Sequence, residues 1–543
     1  MLSILTATAV ASTAAAQTAV IQAAAQQSLS QQNSTAKGRK QAPIARQMSI
    51  ASANGYPIAR QVLISDREVL QPQDIRPLPG GLNSIPVFNS NSPEAVRSPG
   101  ILLSTFPGEG KQNPSAHLGY TFQGRFDLFA HHIAKTDKPD TTPTLYNGIL
   151  IYNPSPSRSI TLNVLKAASF LGTPDAPYID LPSLLENPFG RVFSGPGGRL
   201  TDALLRNNRQ AHWPSRITLG PKQSSMLMNL PIPVPRPAFA RLPWNPNSRI
   251  MIPSLIQQNP ALNRIQLNSA SSSNTRSTLM ELHSTGPLYM AYLAMHAPVS
   301  PTGQEGIPQK SDWENLVIKG DLVNPRDRPP SPLGTRTDRF YYGRVSGVSQ
   351  GSQWHAQVTD TPKSKKLTIP AGGEAFSYGL STLPRGTFGT GQIQSAPMIK
   401  RYPDTAYLSH GNYGVHYHLT LPLYNPRKVE EHVAISIQTP LKQDVWDKGL
   451  RFFRALPEQA FFRGTVRLRY SSDGVPQQRY FHITQRQGQQ GEPLAILKMN
   501  PKESQLVSLD YYYPPDATPP QVLTVQTLAN PPLTQQSAYG IQR

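Results

Sequence analysis

One residue in ten is proline, 55 of 543. That constrains this chain more than any other feature. Proline has no amide hydrogen to give a central ladder, and inside a helix it clashes with the preceding turn. A chain so rich in it is expected to form short strands, edge strands and long loops rather than helical bundles. There are no cysteines, so no disulfide framework and no thiolate metal site exists. Stability has to come from packing, and 543 residues allow two to four cored domains.

Apolar runs fit that expectation. Gly148 to Tyr152, Ser159 to Leu165, Val415 to Leu423, Val433 to Ile437, Thr465 to Tyr470 and Gln505 to Tyr512 read as strands between polar turns. Ser471-Ser472-Asp473-Gly474 carries the Asp-Gly hairpin signal. Short helices are expected at Ser183 to Asn187, Thr201 to Asn207 and Asp447 to Ala455. The fold class is therefore mainly β: antiparallel, sandwich-like, with long proline-rich loops and few helices.

Two strings recur in order. Tyr152-Asn153-Pro154, a turn and a strand from Ile160 reappear as Tyr424-Asn425-Pro426, a turn and a strand from Val433, shifted by 272 positions. Pro221-Lys222-Gln223-Ser224 reappears as Pro501-Lys502-Glu503-Ser504, shifted by 280. Asn tolerates turn conformations, and Pro stops the ladder. The repeated grammar predicts two related halves. The expected organisation is a signal peptide over 1–16, a leader rich in Ala, Gln and Ser over 17–70 and a first sandwich over 71–300. A linker over 301–336, a second sandwich over 337–515 and a tail rich in Pro and Gln over 516–543 follow. The apolar Leu2 to Ala16, closing on three alanines, supports export to the periplasm, outer envelope or medium, although the first basic residue is Lys37. No later run of 18 apolar residues suggests a membrane helix.

The net charge is +20, which favours anionic partners. Between Ala203 and Met280 there is no acidic residue, while Arg206, Arg209, Arg216, Lys222, Arg236, Arg241 and Arg249 are among the bases. These form a candidate anion-binding surface, or simply a solvated basic one.

Histidine is the other site-forming residue. His416 and His418 share a strand face roughly 6.6 Å apart, which can chelate a divalent metal if His410 or another ligand joins them. They can equally be half-buried strand residues. His117, His131 and His132 form a second group; His131 and His132 point oppositely on a strand, a poor metal motif. The loop Ser194 to Arg199 precedes a predicted helix, so its amides could hold an anion or merely cap. Phe340, Tyr341 and Tyr342 between Arg339 and Arg344 suit sugar stacking or a core strand. Thiol catalysis is excluded, no Gly-x-Ser-x-Gly elbow occurs, and no carboxylate pair can be nominated.

The runs Leu78-Pro79-Gly80-Gly81-Leu82, Pro86 to Glu94 and Gly100 to Pro107 resemble a cyanobacterial family of uncharacterised secreted proteins. So do Gly124-Arg125-Phe126-Asp127 through His132, and Tyr413-Gly414-Val415 through Pro426. The similarity covers about residues 70 to 515. It implies an envelope or extracellular address and supplies no activity, cofactor or catalytic residue. Two expectations follow. The first is a non-enzymatic envelope protein binding anionic polysaccharide or cell-wall polymer, or self-associating as a structural unit; nucleic acid is not expected. The second is a histidine-dependent metal-binding protein or metal-dependent hydrolase.

Overall fold

Alternation of apolar and polar residues makes one face of each strand a core face, and the computed structural model shows two cores built this way. It describes residues 61–529, save 140, 235–272, 338 and 473, together with a two-residue strand, Gln47–Met48. The expected signal peptide, most of the leader and the second half of the expected tail lie outside the described residues, while Gln521–Thr527, inside that expected tail, is an interior strand of a five-stranded sheet because its alternate apolar residues fill the core.

In chain order the strands that matter are β1 (Asp74–Arg76), β2 (Pro86–Ser90), β3 (Phe122–Lys135), β4 (Leu145–Tyr152), β5 (Ile160–Leu171), β6 (Arg216–Leu219), β7 (Ser224–Ile232) and β8 (Ser273–His296). The second half adds β9 (Gln353–Gln357), β10 (Ala375–Leu380), β11 (His416–Tyr424), β12 (Glu431–Gln438), β13 (Ala460–Ser472), β14 (Val475–Arg486), β15 (Ala495–Met499), β16 (Ser504–Tyr512) and β17 (Gln521–Thr527). Two helices, α1 (Pro196–Leu205) and α2 (Lys310–Lys319), accompany them.

The halves share one plan. One sheet runs β6-β5-β8-β3-β2 in the first and β15-β12-β17-β10-β1 in the second, and the last pair is parallel in both. The opposing sheets pair β4 with β7 and β11 with β16, with Tyr152 facing Ser224 and Tyr424 facing Ser504. The likeness reaches single atoms. The Asn153 side-chain amide donates to the carbonyls of Arg158, Leu219 and Gly220, and that of Asn425 to Val429, Met499 and Asn500. Lys222 and Lys502 both adopt positive φ, at 56° and 60°. Each asparagine thus closes the strand end where proline has removed a ladder donor.

The halves interleave. Ser346–Gln350, well beyond the expected linker, pairs with β2 in the first sheet system, while β1 lies in the second. The 301–336 segment carries α2 with its buried Trp313 and Val317, so much of it is docked rather than a free linker. Of the expected short helices only one forms, inside α1. Leu184–Glu186 is instead a strand beside β14, and Gly449–Phe453 pairs with Glu68–Pro72. Segments this short carry the nucleation cost of a helix with few propagating bonds, and a sheet edge takes them instead. The hairpin forms as expected, with Ser472 facing Val475.

Asn153→Ala and Asn425→Ala should each cost about 1–3 kcal/mol by orphaning buried carbonyls. Chemical denaturation followed by circular dichroism checks this, and unequal costs would show that the two locks are not energetically equivalent.

Candidate functional site

Each half has a second face on its β4 or β11 sheet, and the two copies treat it differently. In the first, Leu150, Ala291 and Leu293 lie under Trp313 and Val317 of α2. A Cβ on Gly148 would meet the Trp313 ring at 2.8 Å, so glycine is what lets the helix sit down. In the second, the position matching Tyr146 is His418, and that matching Pro231 is Asp510. There this face carries charge; α1 and the first half pack on its Tyr480 and Tyr512 end, and the His355, His418 and Arg469 part stays exposed.

The cluster is built across four neighbouring strands, β13-β16-β11-β9. Asp510 sits at its centre with a side chain only 1% exposed. His418 Nδ1 donates to Asp510 Oδ1 at 2.5 Å, and His416 Nε2 stands 3.6 Å from the same oxygen. Arg467 Nε and Arg469 Nη2 donate to Oδ2 at 3.3 and 3.1 Å. Burial alone would raise this carboxyl, but the neighbouring His416 and His418 imidazoles and the Arg467 charge outweigh it and hold it well below the usual carboxylate range. His355 completes the group, its ring centroid 5.3 Å from His418 and 6.1 Å from His416. Burial, and then its two imidazole neighbours, lower its pKa. One carboxylate therefore faces two guanidinium groups and three imidazoles. The Arg469 Nε and His416 Nε2 atoms are buried without a hydrogen-bond partner. The parts of the cluster that an anion from outside can reach are the exposed ends of Arg469 and His418, 42% and 30% accessible.

At its inner end the cluster meets the first half. His416 stacks on Tyr512 at 4.6 Å, Tyr512 donates to Glu281 at 2.5 Å, and Lys166 donates to Tyr512 at 2.9 Å.

His416 and His418 are thus brought together, with His355 as the third imidazole. His410 is not with them: it is buried edge-on to Tyr342, and burial followed by Lys442 lowers it to about 4. Among the described residues no three histidine, aspartate or glutamate side chains are arranged to hold a metal ion. Both Asp510 oxygens are already committed, and two guanidinium groups beside them oppose a cation. His117, His131 and His132 are separately bonded to Ser104, Ser277 and Ser90.

The basic stretch is not gathered into a site. Arg206 is spent on Asp202, Asn187 and Pro188, with its guanidinium 3.9 Å from the Tyr480 ring centroid. Arg209 donates to the Val164 carbonyl. Arg216 and Lys222 are exposed on β6 and in its following turn. Arg236, Arg241 and Arg249 lie outside the described residues. The glycine loop does hold an anion, but it is the chain's own: the Gly197 and Gly198 amides donate to Asp516 Oδ2 at 2.8 and 3.2 Å. The aromatic strip is already engaged by cations, with Arg328 3.1 Å from the Tyr341 ring centroid and Arg385 4.9 Å from that of Phe340.

His355, Arg467, Arg469 and Asp510 were not singled out from sequence. Arg467-Leu468-Arg469 does carry a readable signal, two cations on one face of an apolar strand.

Asp510→Asn should lower stability at pH 7 by about 1–3 kcal/mol, the cost of weakening hydrogen bonds to a buried charge. Because the folded carboxyl titrates lower than the unfolded one, this contribution is complete above the ordinary value of about 3.9 and is lost as pH falls below it. Thermal unfolding of both proteins from pH 7 to pH 2.5 should show the gap closing at the acid end; a constant gap would contradict it.

No helix among the described residues is long and apolar enough to cross a membrane. No curated protein matches the chain. A family model described as a protein of unknown function, DUF3370, matches residues 73–527, which span both sandwich halves and the whole charged cluster. The chain therefore belongs to the DUF3370 family of proteins of unknown function.

Proposed function

We propose that this protein is a non-enzymatic envelope or secreted protein that binds an anionic polymer, and that the outer face around Asp510 is where it binds. The observation that carries the reading is internal. The same face of the first copy is apolar and covered by α2, so the fold does not demand a cationic surface there. In the second copy it is polar, and the side chains of Arg469 and His418 are 42% and 30% exposed. The chain's overall charge of +20 adds long-range attraction. Export is supported by the apolar start and small-residue run of the sequence.

The test is retention of the full-length protein on immobilised acidic polysaccharide across a salt series. Binding should weaken as salt rises. Arg469→Gln should lower affinity roughly tenfold, equivalent to about 1.4 kcal/mol. Arg216→Gln, on a different surface, should leave affinity unchanged. Binding lost with Arg216 rather than Arg469 would move the site to the acid-free stretch. A protein that ignores the matrix at low salt, or that binds stoichiometric zinc instead, would refute the proposal.

A further inference from the structure

The strand registers arrange the open face into two straight rows running across the strands. The first row reads Tyr480, Arg467, Asp510, His418, His355, each residue facing the next on the adjoining strand. The second, one pleat away, reads Gln478, Arg469, Ser508, Thr420, Gln357. Gln357 and Gln478 are exposed, and Ser508 and Thr420 half-buried. The first row holds a guanidinium, a carboxylate and two imidazoles, with Tyr480 at its end under the Arg206 guanidinium. The second is, apart from Arg469, a line of hydroxyls and primary amides.

Neutral donors and acceptors in a row match the hydroxyls of a sugar chain better than an extended peptide, whose backbone would seek an unpaired strand edge. The charged row adds a spacing rule. Arg467 and His418 lie two strands apart, about 10 Å from inter-strand geometry. Between them is Asp510, a carboxylate with no hydrogen to donate to an anion placed above it. One sugar ring advances a chain by about one inter-strand spacing, roughly 5 Å. A chain laid across the strands thus meets a guanidinium, a carboxylate and an imidazole at successive rings.

We infer that the occupant is a saccharide chain carrying an acidic group on alternate sugars. Its acid groups sit over Arg467 and His418, its uncharged ring lies over Asp510, and its hydroxyls meet the row from Gln478 to Gln357. This rests on the anion-binding reading of the same face and adds the class of ligand.

Calorimetric titration of the full-length protein with two oligosaccharides of equal length, at one ionic strength, tests it. A hyaluronate oligomer alternates glucuronate with a neutral sugar, and an oligogalacturonate is acidic at every ring. The alternating oligomer should bind tighter by roughly fivefold or more, despite carrying half the charge. Asp510→Asn should narrow the difference chiefly by improving oligogalacturonate binding. The wild-type comparison needs no variant, so a poorly folding Asp510→Asn protein does not remove the test. Equal or tighter binding of oligogalacturonate would overturn the spacing rule while leaving anion binding in place. Binding of neither would overturn both.

Discussion

A β-strand sends alternate side chains to opposite faces, and everything in this protein follows from what each sheet does with its second face. A sandwich consumes only the inner faces. In the first copy the outer face of β4 and β8 is apolar and has to be covered, so α2 and the segment from Ile101 to Ala116 are recruited over it. In the second copy the corresponding positions are polar, and α1 with the first half covers only the Tyr480 and Tyr512 end. The same scaffold therefore yields a sealed face and a partly open one.

The open face is ordered rather than merely basic. Isolated surface arginines wander, whereas these cations converge on a carboxylate that water barely reaches. Asp510 works as an internal counter-ion, holding the guanidinium and imidazole groups at fixed spacing and lowering the entropy that a ligand would otherwise have to remove. An Arg469 side chain that stays 42% exposed beside a fixed centre distinguishes this cluster from the spent charges of Arg206 and Arg209, whose donors end on the chain itself.

Local chemistry was legible in the sequence, and pairing was not. The Tyr-Asn-Pro and Pro-Lys-x-Ser strings announced the duplication because turn residues act within a few positions of themselves. The shared face of His416 and His418 followed from period two alone. His355 and Asp510 could not be placed that way. They join the cluster through the parallel pairing of β9 with β11 and the antiparallel pairing of β11 with β16, which depend on register between segments 60 to 90 residues apart. From sequence the glycine loop admits either an anion or plain capping. Its guest, Asp516, lies more than 300 residues downstream and could only be found in three dimensions.

The exchange of strands between the halves has a historical side. A duplicated domain is normally free to be lost, shuffled or inherited alone. Here β1, from the N-terminal side, completes the sheet of the second copy, and Ser346–Gln350, from the C-terminal side, extends that of the first. A gene cut between the copies would leave each product with a raw sheet edge, ready to pair with any passing strand. Once those strands had crossed over, the duplication could no longer be undone one half at a time.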